Sequence, residues 1–254
     1  MKKTFQYVNA VALVFTIVIN YLSNTGVFNG ETMATISAKY QNLFTPAGYA
    51  FSIWGLIYIG LLGFVIYYGP FTKTSETKEK IIQNIGWWFV VSCVGNSLWV
   101  VAWLYEYTLL TIPIMVIVFI PLLKIILNTQ PQIISSDFRT KLFLRFPFYI
   151  YSGWISVALI ADIVAYLKKI EWAGFGISET SWAIMMFAIA TGVHLFMIWK
   201  RNMPAFAMVA VWAFIAIAVA NQPNNSAVFY AAIGFAIFVF INVLAQSLKR
   251  VTTK

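Results

Sequence analysis

The chain is short of the residues that soluble enzymes use. It holds one cysteine, one histidine and eight acidic side chains in 254 residues, and only 10% of it is charged. A lone Cys93 excludes an intramolecular disulfide. There is no C-x-x-C pair, no H-E-x-x-H, no phosphate loop and no dinucleotide fingerprint, so none of the familiar soluble chemistries has its residues. Ten-residue segments of alternating polarity are missing too, which argues against a transmembrane barrel.

What fills the chain instead is apolar. Hydrophobic residues make up 61% and mean hydropathy is +0.81, far outside the range of soluble domains. Runs of about 20 such residues recur, the length needed to cross roughly 30 Å of hydrocarbon. They predict an all-α polytopic membrane protein of about eight spans, near 5–22, 47–69, 84–104, 107–127, 146–167, 181–199, 205–220 and 226–247. The Met1-Lys2-Lys3 start followed by an apolar run resembles a signal peptide, but Tyr21-Leu22-Ser23-Asn24 offers no small-x-small cleavage site. With the N-terminus inside, all of the 17 Lys and Arg except Lys39, Lys168 and Lys169 fall on the inner side. That asymmetry is what the positive-inside rule expects of eight spans with both termini cytoplasmic. The net charge of +9 then reads as orientation and attraction to anionic lipid rather than as a nucleic-acid surface.

The connections carry their own signals. Segment 23–46 is long for a loop in a bundle; Asn24-Thr25-Gly26 and Asn29-Gly30 mark turns, and Thr32 to Leu43 predicts a short amphipathic helix on the membrane surface. Such a loop suits a lid. Ser75, followed by Glu76 and Glu79, predicts a helix start ahead of the third span, although Lys78 occupies the place of a capping-box glutamate. The short turn Tyr105-Glu106-Tyr107 makes the third and fourth spans antiparallel neighbours. Segment 168–180 separates a five-span front from a three-span rear, dividing the chain into 1–170 and 171–254.

Ten tryptophans mark the candidate site. Phe51-Trp54-Tyr58, Asn96-Trp99-Trp103 and Tyr151-Trp154-Ala158 each fall at i, i+3, i+7, which lays each set along one stripe of a helix. Asp162 extends the third stripe by another turn. A carboxylate facing lipid near a helix centre costs about 2.5–3.5 kcal/mol on insertion scales, so Asp162 should face protein. At 1.5 Å per residue Trp54 lies about 12 Å, and Trp99 and Asp162 about 8–10 Å, below the outer ends of their helices. These residues predict a ligand cavity in the outer half of the bundle, under the 23–46 loop. Trp87, Trp88, Trp182 and Trp199 lie near span ends, where interfacial anchoring explains them. His194 reads as a packing histidine, with no second haem ligand in view.

The run Phe44-Thr45-Pro46 to Trp54 and Tyr58 resembles the loop-to-second-helix signature of the translocator protein (TspO) family, the tryptophan-rich sensory proteins. Asn96-Ser97-Leu98-Trp99 is similar to the family's Asn-x-x-Trp in the third helix. Trp154-Ile155-Ser156, with Asp162 after it, resembles the fifth. The chain departs from the pattern at Thr45 and Ile150, where the family has proline, at Asp162, where it often has asparagine, and in three additional spans. The stretch between Pro46 and Trp54 also lacks the usual second Trp and Gly-Pro. The resemblance implies a TspO-like five-helix bundle plus a three-helix extension. It implies a binding or sensory protein of the bacterial cytoplasmic membrane, with porphyrin, lipid or sterol-like molecules as ligands. Porphyrin or haem would be a ligand, and no cofactor is required. A homodimer is compatible with the pattern. The residues also leave open a transporter of small hydrophobic molecules and an enzyme that modifies its porphyrin, though no acid–base pair or metal site is visible.

Overall fold

In the computed structural model, which describes residues 2–73, 75–130 and 137–252, the described residues are helices and their connections. The elements are α1 (Lys2–Leu22), α2 (Met33–Lys39), α3 (Ile53–Tyr68), α4 (Glu76–Ile85), α5 (Trp88–Leu104), α6 (Thr108–Asn128), α7 (Phe146–Lys169), α8 (Glu179–Trp199), α9 (Pro204–Asn221) and α10 (Ser226–Thr252). Among the described residues seven helical stretches are long and apolar enough to cross a membrane, and α4 with α5 makes an eighth when taken as one bent span. The protein is therefore an all-helical polytopic membrane protein, and each predicted span has its helix.

Local chemistry sets the element ends. Ser75 caps α4 by accepting the Lys78 N–H through its hydroxyl, with Glu76 and Glu79 in the first turn, where the helix dipole favours acids. Lys78 turns away from the capping role: its Nζ reaches the Tyr67 carbonyl at 3.0 Å and sits 3.8 Å from the centre of the Tyr67 ring. The early start does not run straight into the span. Gly86, at φ +51°, breaks the path, and α4 and α5 meet at 46°. Between α5 and α6, Glu106 adopts φ +61° and reverses the chain within three residues. The surface helix α2 is shorter than the sequence suggests, because the chain turns at Tyr40–Gln41 and Asn42 accepts the Phe44 N–H at 2.8 Å.

The chain forms two compact units. Residues 1–36 and 54–152 make one, in which α1 packs on α4 and α5, and α6 packs on α4 and α5. A polar row on α1 holds it there. Gln6 Nε2 donates to the Tyr68 carbonyl at 2.9 Å, Thr16 Oγ1 to the Cys93 carbonyl at 3.1 Å, and Asn20 Nδ2 to Asn96 Oδ1 at 2.7 Å. In hydrocarbon, cross-helix hydrogen bonds of this kind supply association that the hydrophobic effect cannot.

Residues 37–53 and 153–254 make the second unit, built on α8, α9, α10 and the part of α7 from Gly153 onward. Its interior is small-residue packing: Ala207, Ala210, Ala213, Ala216 and Ala218 of α9 are fully buried. Gly153 of α7 lies so close to α9 that an added Cβ would stand 2.6 Å from the Phe206 carbonyl oxygen. The incoming segment is pinned to α9. Asn221 Nδ2 donates to the Leu43 carbonyl at 3.1 Å, the Ala47 N–H to the Ala216 carbonyl at 3.0 Å, and the Trp212 indole to the Ala50 carbonyl at 3.1 Å.

Candidate functional site

The aromatic stripes fall into two groups, one in each unit. In the first unit Trp54 stacks on Tyr58, with ring centres 5.6 Å apart and planes at 20°. The edge of Tyr151 meets Trp54 at 5.7 Å. The Tyr151 side chain also hydrogen-bonds to Asn96, which is itself 1% exposed and accepts from Asn20. Residues of α3, α5 and the start of α7 thus share one aromatic and polar cluster. One turn further along α5, Trp99 stacks on Trp103, with ring centres 5.8 Å apart and planes at 17°. Among the described residues, the Tyr58 hydroxyl and the Trp99 indole N–H of these stripes are buried with no hydrogen-bond partner.

In the second unit Phe51 meets Trp154 edge-on at 6.1 Å. Trp154 is buried, and so is Asp162, at 3% exposure; Ala158, between them on the same helix, is half-buried. Asp162 is therefore kept from lipid, as its cost in hydrocarbon demands. His194 is a packing histidine. Its Nδ1 lies 2.7 Å from the Ala190 carbonyl oxygen of the preceding turn, its Nε2 faces Ser156 Oγ at 3.4 Å, and its ring rests on Phe206 at 4.9 Å. Among the described residues no group of three His, Cys, Asp or Glu side chains is arranged to hold a metal ion.

The second unit also contains a cavity of about 720 Å³, within the range of small-molecule sites. One wall is the segment Lys39 to Phe44, apart from Gln41; the others are the end of α7, the 171–177 turn and the first two turns of α8. Phe44 is fixed by its tilted contact with Phe187, ring centres 5.1 Å apart. Trp182 donates its indole N–H to the Gly174 carbonyl at 2.9 Å and packs on Trp172 at 5.0 Å. Gly174 has φ +65°, and a Cβ there would come within 3.0 Å of the Trp182 indole nitrogen, so glycine is required for this corner.

Sequence reasoning missed two parts of this picture. Asn20 is the partner of Asn96, and the available signal was the helical spacing of Gln6, Asn9, Thr16 and Asn20 within an apolar run. Trp172 and Trp182 line the cavity, whereas the position of Trp182 near a span end suggested only anchoring and Trp172 carried no expectation. Trp87 and Trp199, 57% and 45% exposed, do have the exposure of interfacial anchors.

No curated protein and no solved structure gives a significant match. The model of a family described as TSPO-like protein matches residues 6–245, from the first turns of α1 to the last turns of α10. With the match running through nearly the whole chain, and with the aromatic clusters on α3, α5 and α7, the protein belongs to the TSPO-like family.

Proposed function

We propose that the protein is a membrane-embedded binding or sensory protein for a flat hydrophobic ligand of the porphyrin class. The membership of the TSPO-like family supports a ligand-binding or sensory role in a membrane. The observation that carries the finer reading is the pair of buried donors, Tyr58 Oη and Trp99 Nε1, that have no partner among the described residues, on stripes otherwise made of stacked rings. Each buried donor without an acceptor costs about 1–3 kcal/mol. A planar ligand with acceptor groups on its rim would stack on Trp54 and satisfy donors of this kind. Within the second unit, Phe51, Trp154, Ala158 and Asp162 would form a ligand face of their own, with Asp162 meeting a polar edge. Both termini would lie in the cytoplasm of a bacterial cell, with the 23–46 loop as the outer lid.

The test is a titration of the purified full-length protein with protoporphyrin, haem and a sterol, followed by tryptophan quenching. Saturable quenching by a porphyrin is expected. Trp54→Phe and Tyr58→Phe should each weaken it by about 3- to 10-fold, the equivalent of one aromatic contact or one hydrogen bond. Asp162→Asn and Asp162→Ala examine the carboxylate separately. Absence of saturable quenching, or wild-type affinity in all four variants, defeats the proposal.

A further inference from the structure

The cavity of the second unit has a chemistry that the stripes lack. Lys39, Lys168 and Lys169 all line it, and these are the three basic residues that the positive-inside count leaves on the far side of the membrane. Two of them bracket one aromatic ring: Lys39 Nζ stands 5.9 Å and Lys169 Nζ 5.8 Å from the centre of the Tyr40 ring. The third, Lys168, pairs at 3.1 Å with Glu179, which also lines the cavity, and both side chains of that pair are well exposed, at 46% and 68%. An exposed pair of this kind is weakly held, so an incoming anion can take the place of Glu179.

Glu171, Tyr40 and Asn42 also line the cavity, and the rest of its lining is apolar. Phe44, Trp172, Trp182, Ala183 and Met186 supply it, and the bonds from Asn221 to Leu43 and from Trp182 to Gly174 hold its walls before any ligand arrives. The turn that closes one side is itself lipophilic. Phe175 is 84% exposed, and Ile170 and Ile177 are 49% and 43% exposed, directly after a helix end that carries two lysines. Apolar side chains beside basic residues at a span end are the pattern of a segment immersed at the bilayer boundary. The cavity therefore opens where amphiphiles reside, with cations at its rim and rings within.

We propose that this cavity is a second binding site, separate from the aromatic stripes, that takes an anionic amphiphile: the carboxylate or phosphate meets Lys168 and Lys169, and the apolar body lies against Trp172, Trp182 and Phe44. Glu179 acts as the displaceable lid ion of Lys168. The donor of the anion is either a free carboxylate amphiphile or the headgroup of a membrane lipid, since both present the same charge and the same hydrocarbon.

The experiment uses the full-length protein in phosphatidylcholine nanodiscs and a diazirine-bearing fatty acid as probe, with the crosslink mapped by mass spectrometry. Labelling is expected within residues 39–44 or 172–186. Competition distinguishes the sources: oleate competing points to a free amphiphile, and added phosphatidylglycerol competing points to a lipid headgroup, while methyl oleate should not compete. Lys168→Gln combined with Lys169→Gln should lower probe affinity about tenfold, the loss of one charge-assisted bond. Glu179→Gln should raise it, an outcome that misfolding cannot imitate. Equal competition by oleate and methyl oleate, no competition by either anion, labels elsewhere, or unchanged affinity in the lysine and glutamate variants would overturn the proposal. The stripe variants Trp54→Phe and Tyr58→Phe leave this labelling intact, so a failure here is separable from a failure of the porphyrin reading.

Discussion

Gly153→Ala should loosen the second unit by an amount that the geometry fixes in sign. The added methyl would sit 2.6 Å from the Phe206 carbonyl oxygen and 3.2 Å from both the Phe206 Cα and the Val209 Cβ. Two of these three atoms are backbone, so no side chain can swing aside. Bringing the shortest contact to an ordinary 3.4 Å requires α7 and α9 to part by about 0.8 Å. Overpacking of this size costs about 1–3 kcal/mol, against a gain of about 0.5–1 kcal/mol for removing a glycine from a helix interior. Because the clash is with backbone the cost lies toward the upper end of that range, and a net loss of up to about 2.5 kcal/mol remains, equivalent to at most roughly 10 °C in unfolding midpoint for a chain of this size. Gly192 in α8 and Gly234 in α10 have nothing within 4 Å of an added Cβ, so alanine at either site should leave the midpoint unchanged or raise it slightly. Thermal loss of helicity in detergent, followed by circular dichroism, measures all three. If Gly153→Ala melts at or above the wild type while the two controls behave as stated, the close approach of α7 to α9 is wrong.

Four further outcomes are expected. Asn9 is 2% exposed and neither its amide nitrogen nor its oxygen has a hydrogen-bond partner among the described residues, so Asn9→Leu should stabilise the first unit by about 1–3 kcal/mol; a lower midpoint in detergent would contradict this. Asn20→Ala removes the amide donor that reaches Asn96 Oδ1 at 2.7 Å and should cost about 0.6–1.7 kcal/mol, read in the same melt. The Thr140 N–H, donated at 2.9 Å, holds the Asp137 carboxyl below its ordinary value; this cap is complete above the usual aspartate pKa of about 3.9 and is lost only as pH falls through the lower folded value. The Thr140 amide resonance should therefore titrate below that of a free aspartate, and a midpoint above it would remove the cap. Both His194 ring nitrogens face protein groups, so His194→Ala should leave the Soret band of any bound haem unshifted; loss of a ligated spectrum would assign the iron to His194.

The spans were legible because their signal is length and hydropathy alone. Even the short α9 follows from that rule, since its 18 residues are bounded by Pro204 and by the Gln222-Pro223-Asn224 turn. Ser75 announced α4 because a cap is a local device. The bend at Gly86 was less visible, since nothing in the apolar pattern of 84–104 distinguishes a glycine at φ +51° from one in a helix. Of the stripe residues, the stacked partners within one helix could be read from spacing, as in Trp54–Tyr58 and Trp99–Trp103. The contact of Tyr151 with Trp54 and Asn96 depends on helix rotation, which spacing does not encode. The cavity was hidden for a related reason: Lys39, Lys168 and Trp182 are far apart in sequence and each has an adequate local explanation.

The elbow at Gly86 has a consequence for the surrounding lipid. α4 carries Glu76, Lys78, Glu79 and Lys80; with those charges held outside the hydrocarbon, the apolar arm of the bent pair is α5, Trp88–Leu104. Its 17 residues span about 25 Å at the helical rise, roughly 5 Å less than an average bilayer core. Lipids adjoining α5 must compress or tilt to match it, at a fraction of a kcal/mol per ångström. Annular lipids with short chains relieve that hydrophobic mismatch, and the protein will partition toward the thinner regions of its membrane.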